Sequence, residues 1–213
     1  YISSNLTIDN ANQTFAADKQ MAPITVSDFD SRATIELESA PSGVSYNRDT
    51  HQITGKPTEG VGTYTFYVRA VMPLTLGAQA TSKKVTLTVT KLEPTLSANP
   101  SSITVEATNR MPDITITKDP LSELATPTVT IGGTGDPKPL SELGLSYIAN
   151  SATTGTITGT PTVVGNHTIH LSTTLSKRYT GVDGGVSKTL DIPVTVSAKS
   201  FDLNINNQKQ TKT

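Results

Sequence analysis

Cysteine and tryptophan are both absent from this 213-residue chain. No disulfide can therefore brace the fold, and no thiolate is present to act as a nucleophile or a metal ligand. Aromatic residues make up only 5% and hydrophobic residues 34%, so a core has to come from Val, Ile, Leu and a few Tyr and Phe. That supply suits thin β-sandwiches better than a large enzyme with a deep pocket. An excess of either charge is missing too: 17 Lys and Arg against 18 Asp and Glu leave a formal net charge of -1. Nucleic acid is bound through concentrated cationic surface, and the adjacent basic pairs here are only Lys83-Lys84 and Lys177-Arg178. No nucleic-acid partner is expected. No run of about 20 apolar residues occurs, so no membrane-spanning helix is expected either. The chain opens at Tyr1 without a signal peptide, which reads as a monomeric segment of a longer protein.

What is present is a repeat. Gly43 begins GVSYNRDTHQITGKPTEGVGTYTFYV, and Gly144 begins GLSYIANSATTGTITGTPTVVGNHTIHL. A spacing of about 100 residues is the size of one β-sandwich module, so the chain reads as two tandem domains, residues 1–92 and 93–199. Each is large enough for its own core. The remainder, residues 200–213, reads as an extra strand or the start of a further repeat. Lys91-Leu92-Glu93-Pro94 is a linker too short for free tumbling, which predicts a semi-rigid pair.

Thr, Ser and Val dominate, Gly and Pro punctuate at short intervals, and no window holds the i, i+3, i+4 apolar spacing of a helix, so the fold class is all-β. Val85, Leu87 and Val89 alternate with Thr86, Thr88 and Thr90. Ile192, Val194 and Val196 do the same, with Pro193 pointing to an edge strand or a bulge. After Gly62, Tyr64, Phe66, Val68 and Ala70 share one face of a strand. The string Gly62-Thr63-Tyr64-Thr65-Phe66 fits a tyrosine corner, with Phe66 at the place of the second Cys of an immunoglobulin domain. In the second copy the inward face reads His167, Ile169 and Leu171, so a buried imidazole stands in for the tyrosine. The second domain also carries two enlarged loops, near residues 119–142 and 173–186.

The segments Ser42-Gly43-Val44-Ser45-Tyr46, Gln52-Ile53-Thr54-Gly55-Lys56-Pro57-Thr58 and Gly62-Thr63-Tyr64-Thr65-Phe66 resemble the immunoglobulin-like, or dystroglycan-type cadherin-like, repeats of bacterial surface proteins. The second copy is similar at Gly144-Leu145-Ser146-Tyr147, Thr156-Ile157-Thr158-Gly159-Thr160-Pro161 and Gly165. The resemblance implies two immunoglobulin/cadherin-like sandwiches from a Gram-positive, cell-wall-anchored adhesin, of the kind with a serine-rich-repeat binding region. It implies an extracellular place on the bacterial surface, with the anchor outside this chain, in keeping with the lack of cysteine. Some streptococcal members look similar on the strand after Gly62 but carry Tyr-Thr-Arg, whose Arg engages sialic acid. Here the strings are Tyr64-Thr65-Phe66 and His167-Thr168-Ile169, so that route to sialic acid is not expected.

The candidate chemistry is sparse. His167 and His170 lie three apart on a strand and so face opposite ways, and His51 falls in the other domain, which argues against zinc. Asp28, Asp30 and Asp49, with Glu59 nearby in sequence, form a candidate calcium site; turn-forming aspartates are the competing reading, because calcium needs six to eight oxygens. Gly132-Gly133-Thr134-Gly135-Asp136-Pro137 precedes no helix and reads as a loop rather than a phosphate cradle. Neither a nucleophile elbow nor a carboxylate pair is visible, so the chain is not expected to be an enzyme. Asn5, Asn12 and Asn166 each begin an Asn-x-Thr string, which would carry glycans in a eukaryotic secretory setting. Loops on a rigid sandwich carry recognition, and the enlarged loop of the second domain offers Lys177, Arg178, Tyr179 and Asp183 as a ligand-binding set. The expected function is non-catalytic adhesion to a host glycan or glycoprotein. The alternatives are a structural stalk and an accessory module of a secreted carbohydrate-active enzyme.

Overall fold

The computed structural model of the chain describes residues 2–201. It divides into two compact units: unit 1 is Tyr1–Pro94 with Thr174–Ser187, and unit 2 is Thr95–Thr173 with Lys188–Thr213. The tip of the long second-copy hairpin, residues 174–187, therefore clusters with the residues of the first copy.

Unit 1 contains strands β1 (Thr7–Ile8), β2 (Asn12–Ala16), β3 (Ile24–Ser27), β4 (Thr34–Glu38), β5 (Val44–Asn47), β6 (Gln52–Gly55), β7 (Gly62–Val71) and β8 (Ala80–Thr90). They form two sheets, in the orders β1-β3-β6-β5 and β2-β8-β7-β4. All pairings are antiparallel except β2 with β8, which run parallel. The alternation read from the sequence is the alternation of burial. Phe66, Val68 and Ala70 on β7 and Val85 and Leu87 on β8 are completely buried, and they meet Ile24, Val26 and Ile53 of the other sheet in one core.

Unit 2 repeats the plan with β9 (Leu96–Asn99), β10 (Ile103–Glu106), β11 (Ile114–Lys118), β12 (Glu123–Leu124), β13 (Thr128–Thr130), β14 (Lys138–Pro139), β15 (Leu145–Ala149), β16 (Thr154–Gly159), β17 (Gly165–Leu175) and β18 (Val186–Ser197). One sheet runs β15-β16-β11-β9 and the other β10-β18-β17-β13-β14, with β12 also on β17. Here too the first strand of the second sheet, β10, lies parallel to the last, β18. The enlarged loop near 119–142 holds β12, β13, β14 and two short 3-10 turns, the second of which buries Leu140 and Leu143. Ser200 and Phe201 carry no regular structure, and the rest of the extra strand expected at 200–213 lies outside the described residues.

Two features of the motif are explained by packing. Gly43 and Gly55 approach so closely that a Cβ on Gly55 would sit 1.9 Å from the Gly43 carbonyl oxygen; on Gly159 it would sit 2.3 Å from that of Gly144. The paired glycines of both copies are therefore a backbone-to-backbone contact across β5 and β6, or β15 and β16. Pro193, by contrast, is not at an edge, since β18 lies between β10 and β17. The ladder to β10 begins one residue later, at Ile103 with Val194.

Candidate functional site

Between β17 and β18 the chain makes one helical turn, α1 (Lys177–Thr180). Ser176 precedes it in extended conformation, and Gly181, at φ 73°, ends it in the left-handed region, where glycine carries no Cβ penalty. The turn is closed by Gly181 N–H donating to the Lys177 carbonyl at 2.7 Å. Thr180 Oγ1 donates to the Ser176 carbonyl at 3.0 Å.

Within unit 1 the backbone of this turn is held at two points. Val61 N–H donates to the Arg178 carbonyl at 3.0 Å, and Leu92 N–H donates to the Tyr179 carbonyl at 2.7 Å. Gly60 makes room for the first: a Cβ there would lie 1.9 Å from the Arg178 oxygen. With the backbone held, the side chains of Lys177 and Arg178 are exposed. The Arg178 guanidinium lies 5.5 Å from the centroid of the Tyr179 ring, a cation–π distance. Lys177 Nζ meets Asp183 Oδ1 at 2.6 Å. That hydrogen bond, and then the opposite charge, raises the Lys177 pKa and lowers that of Asp183.

The four residues expected as a ligand set thus do come together, as two neighbouring pairs. Lys177 and Arg178 border a cavity of about 470 Å³ whose walls also include Thr58, Glu59, Val61 and Tyr64. These last four were not legible as site residues. Tyr64 reads as core from its strand phase, and nothing local to residues 58–61 points to a partner so distant in sequence. Gly60 beside Gly62 is the one local sign that a backbone comes close there.

Tyr64 also forms the corner expected of it. Its hydroxyl donates to the Gly60 carbonyl at 2.6 Å. Burial, and then the charge of Glu59, raises its pKa. His167 does the same in unit 2. Gly132 N–H donates to its Nδ1 at 2.9 Å, so the proton resides on Nε2, which donates to the Val163 carbonyl at 2.6 Å. The ring is 2% exposed.

The other histidines are equally engaged. His170 Nε2 bonds Thr130 Oγ1 at 2.6 Å and its Nδ1 bonds Asp191 Oδ1 at 2.8 Å. Hydroxyl, imidazole and carboxylate follow the order of a catalytic triad, yet the three side chains stand on β13, β17 and β18, adjacent strands of one sheet. The arrangement ties the three strands together as a cross-strand clamp. His51 packs edge-on against Phe29, with centroids 5.2 Å apart.

At the candidate calcium ligands, Asp30 already has a partner. Asp30 is held by Arg32, with Oδ1 accepting from Nε at 3.0 Å and Oδ2 from Nη2 at 2.8 Å, and its pKa falls to about 2, first through the side-chain hydrogen bond. Asp28, Asp30 and Asp49 do not converge, and among the described residues no group of three or more His, Cys, Asp or Glu is placed to hold a metal ion. Among them, too, no helix is long and apolar enough to cross a membrane.

Residues 2–90 match the family described as "Putative Ig domain". This part of the chain is an Ig-like domain. Its two-sheet core, with Phe66 fully buried, agrees with that assignment. No curated protein sequence matches the chain. Among solved structures, an endo-fucoidan hydrolase, MfFcnA4 of glycoside hydrolase family 107, aligns at 16% identity and TM-score 0.41, over 93% of this chain and 29% of its own. This chain therefore spans less than a third of that hydrolase. The titin domains z1z2, solved in complex with telethonin, align at 10% identity and TM-score 0.42, over 92% of this chain and 98% of theirs. The Ig1-Ig2 domains of Dpr2, solved with DIP-Theta, align at 10% identity and TM-score 0.34, over 91% and 64%. These scores are too low to bear on what the Ig-like chain does.

Proposed function

We propose that this chain is a non-catalytic adhesion module that engages a glycan or glycoprotein through the loop carrying Lys177, Arg178, Tyr179 and Asp183, as part of a longer protein on a bacterial surface. The observation that carries this reading is the pinned backbone of α1. Because Val61 and Leu92 hold the Arg178 and Tyr179 carbonyls, the guanidinium and ring stand on an ordered base, and less side-chain and loop entropy is lost on binding. A cation beside the Tyr179 ring, and Thr58 and Tyr64 on the wall of the cavity that Lys177 and Arg178 also line, offer ring stacking and hydrogen bonds to a sugar. Recognition of sialic acid from the strand after Gly62 has no support, since the residue in the required position is Phe66, fully buried.

A stalk is the second reading. It is favoured by the same two backbone bonds, which give the loop a structural task of its own. The test is a broad glycan array probed with the wild-type chain and with the Arg178→Ala, Tyr179→Ala double variant. Discrete glycans bound by the wild type and lost in a variant of unchanged melting temperature support adhesion. A silent array, or binding that survives the double substitution, removes this loop as the site.

A further inference from the structure

A second cleft lies in unit 1, far in sequence from α1 and separate from the loop discussed above. It encloses about 220 Å³ between the β3–β4 connection and the β5–β6 turn, and its walls include Phe29, Ile35, Tyr46, Arg48 and His51. We propose that this cleft binds an acidic saccharide unit, with Arg48 taking the anionic group and the rings of Phe29, Tyr46 and His51 taking the faces of the sugar.

The cleft exists because β4 and β5 are edge strands of different sheets, and the sandwich is open where two such edges face each other. Ile35, 9% exposed, belongs to the core beneath, while Phe29 and Tyr46 are half-buried. Aromatic surface is thus presented to solvent from a fixed base. His51 is fixed as well: its φ is 54°, in the left-handed region. Its carbonyl accepts from Val26 N–H at 2.9 Å, and its ring packs on Phe29 at an interplanar angle of 69°.

The electrostatics favour an anion. Both carboxylate oxygens of Asp30, next to Phe29 in sequence, are bonded by Arg32, which blunts its repulsion of an anion. Among the described residues Arg48 has no carboxylate within salt-bridge reach, although Asp49 follows it in the turn, with its N–H held by Asn47 Oδ1 at 2.8 Å. Burial raises the Tyr46 hydroxyl above its usual pKa and the charge of Arg48 acts against that rise, so the two groups feel each other. A planar guanidinium binds carboxylate or sulfate through two parallel N–H donors. At about 220 Å³ the cleft is below the ~300 Å³ at which drug-sized pockets begin. It fits one sugar ring rather than a stretch of peptide.

The experiment is an amide-shift NMR titration of the whole chain with three disaccharides, ending in glucuronic acid, in a sulfated galactose and in neutral glucose, and with a Glu-containing tripeptide. Both acidic sugars, or one of them, are expected to move the amides of Phe29, Tyr46, Arg48 and His51, and the tighter of the two identifies carboxylate or sulfate as the anion read. Arg48→Gln, a change at an exposed turn, is expected to weaken that binding by roughly tenfold or more, with the remaining spectrum unchanged. The Arg178→Ala, Tyr179→Ala variant is expected to bind as wild type does. No shift with either acidic sugar, equal shifts with the neutral one, an unaffected Arg48→Gln, or shifts with the tripeptide alone would each overturn the proposal. Binding lost in the double variant and kept in Arg48→Gln would overturn it while leaving the α1 loop as a site.

Discussion

Tyr64 and His167 do the same work with different chemistry: each closes the corner before its strand by donating to the carbonyl four residues earlier, Gly60 or Val163, at 2.6 Å. Each follows a glycine by two residues, Gly62 or Gly165, and each points inward ahead of a buried pair, Phe66 and Val68 or Ile169 and Leu171. The phenol reaches its partner with one donor. The imidazole does so with one nitrogen and uses the other to accept from Gly132, which ties the inserted segment of unit 2 to the corner.

Tyr64→Phe removes one hydrogen bond and leaves a carbonyl without its partner. A loss of about 1 kcal/mol is expected, rising to about 3 kcal/mol for Tyr64→Ala, where packing is lost as well. Urea unfolding of the purified variants checks both, and an unchanged midpoint for Tyr64→Ala would rule out the corner.

His167→Phe preserves the ring but leaves Gly132 N–H and the Val163 carbonyl unpaired. The expected loss is about 3 kcal/mol, from two groups at roughly 1–3 kcal/mol each with partial relief by solvent. In the wild type, nitrogen NMR should find Nε2 protonated and Nδ1 bare; the opposite tautomer would contradict the bond to Gly132.

Asp119 links stability to acid. Burial works to raise its pKa but is outweighed by hydrogen bonds from Thr95, Ser122 and Leu121, so the net shift is downward from 3.8. A folded-state pKa below the unfolded one gives stability that is complete above the unfolded value and is lost as pH falls through the folded one. The melting temperature of the wild type should therefore decline below about pH 4. Asp119→Asn should melt lower at pH 7 and decline less in acid; a parallel decline would assign the acid sensitivity to other carboxylates.

Gly60→Ala should break the bond between Val61 and Arg178. Its φ is 84° and the new Cβ would collide with the Arg178 oxygen, so both strain and overlap act against the folded state. A loss of more than about 1 kcal/mol is expected. Hydrogen exchange at the Val61 amide should rise sharply, whereas retained protection would show that the loop accommodates a methyl group.

Chelation should leave the melting temperature where it is. Asp30 is bonded to Arg32, and among the described residues no group of three or more His, Cys, Asp or Glu is placed for a metal, so no stabilisation by calcium is expected. A drop on adding chelator would reopen the site at Asp28.

How much of this was written in the sequence depends on the range over which each feature is set. Strand phase is local: side chains alternate with period two, so Phe66, Val68, Val85 and Leu87 could be read as core, and they are. The corner residues were legible for a like reason, since each follows a glycine by two residues in its own copy. That Arg32, two residues beyond, takes the Asp30 carboxylate is a choice of partner that composition does not reveal. Of the edge or bulge read from Pro193, the edge is excluded by the place of β18 between β10 and β17, strands that lie far off in sequence or beyond a long hairpin. The sequence by itself determined an all-β chain of two repeated sandwich motifs, through periodicity and turn chemistry that act over a few residues. Tertiary structure alone decided that the Arg178 carbonyl meets Val61, that Tyr64 borders the same cavity as Lys177, and that Phe29, Tyr46, Arg48 and His51 share one cleft. Those neighbours are separated by many residues or lie on different strands, and only the closing of two sheets over a common core brings them within a few ångströms.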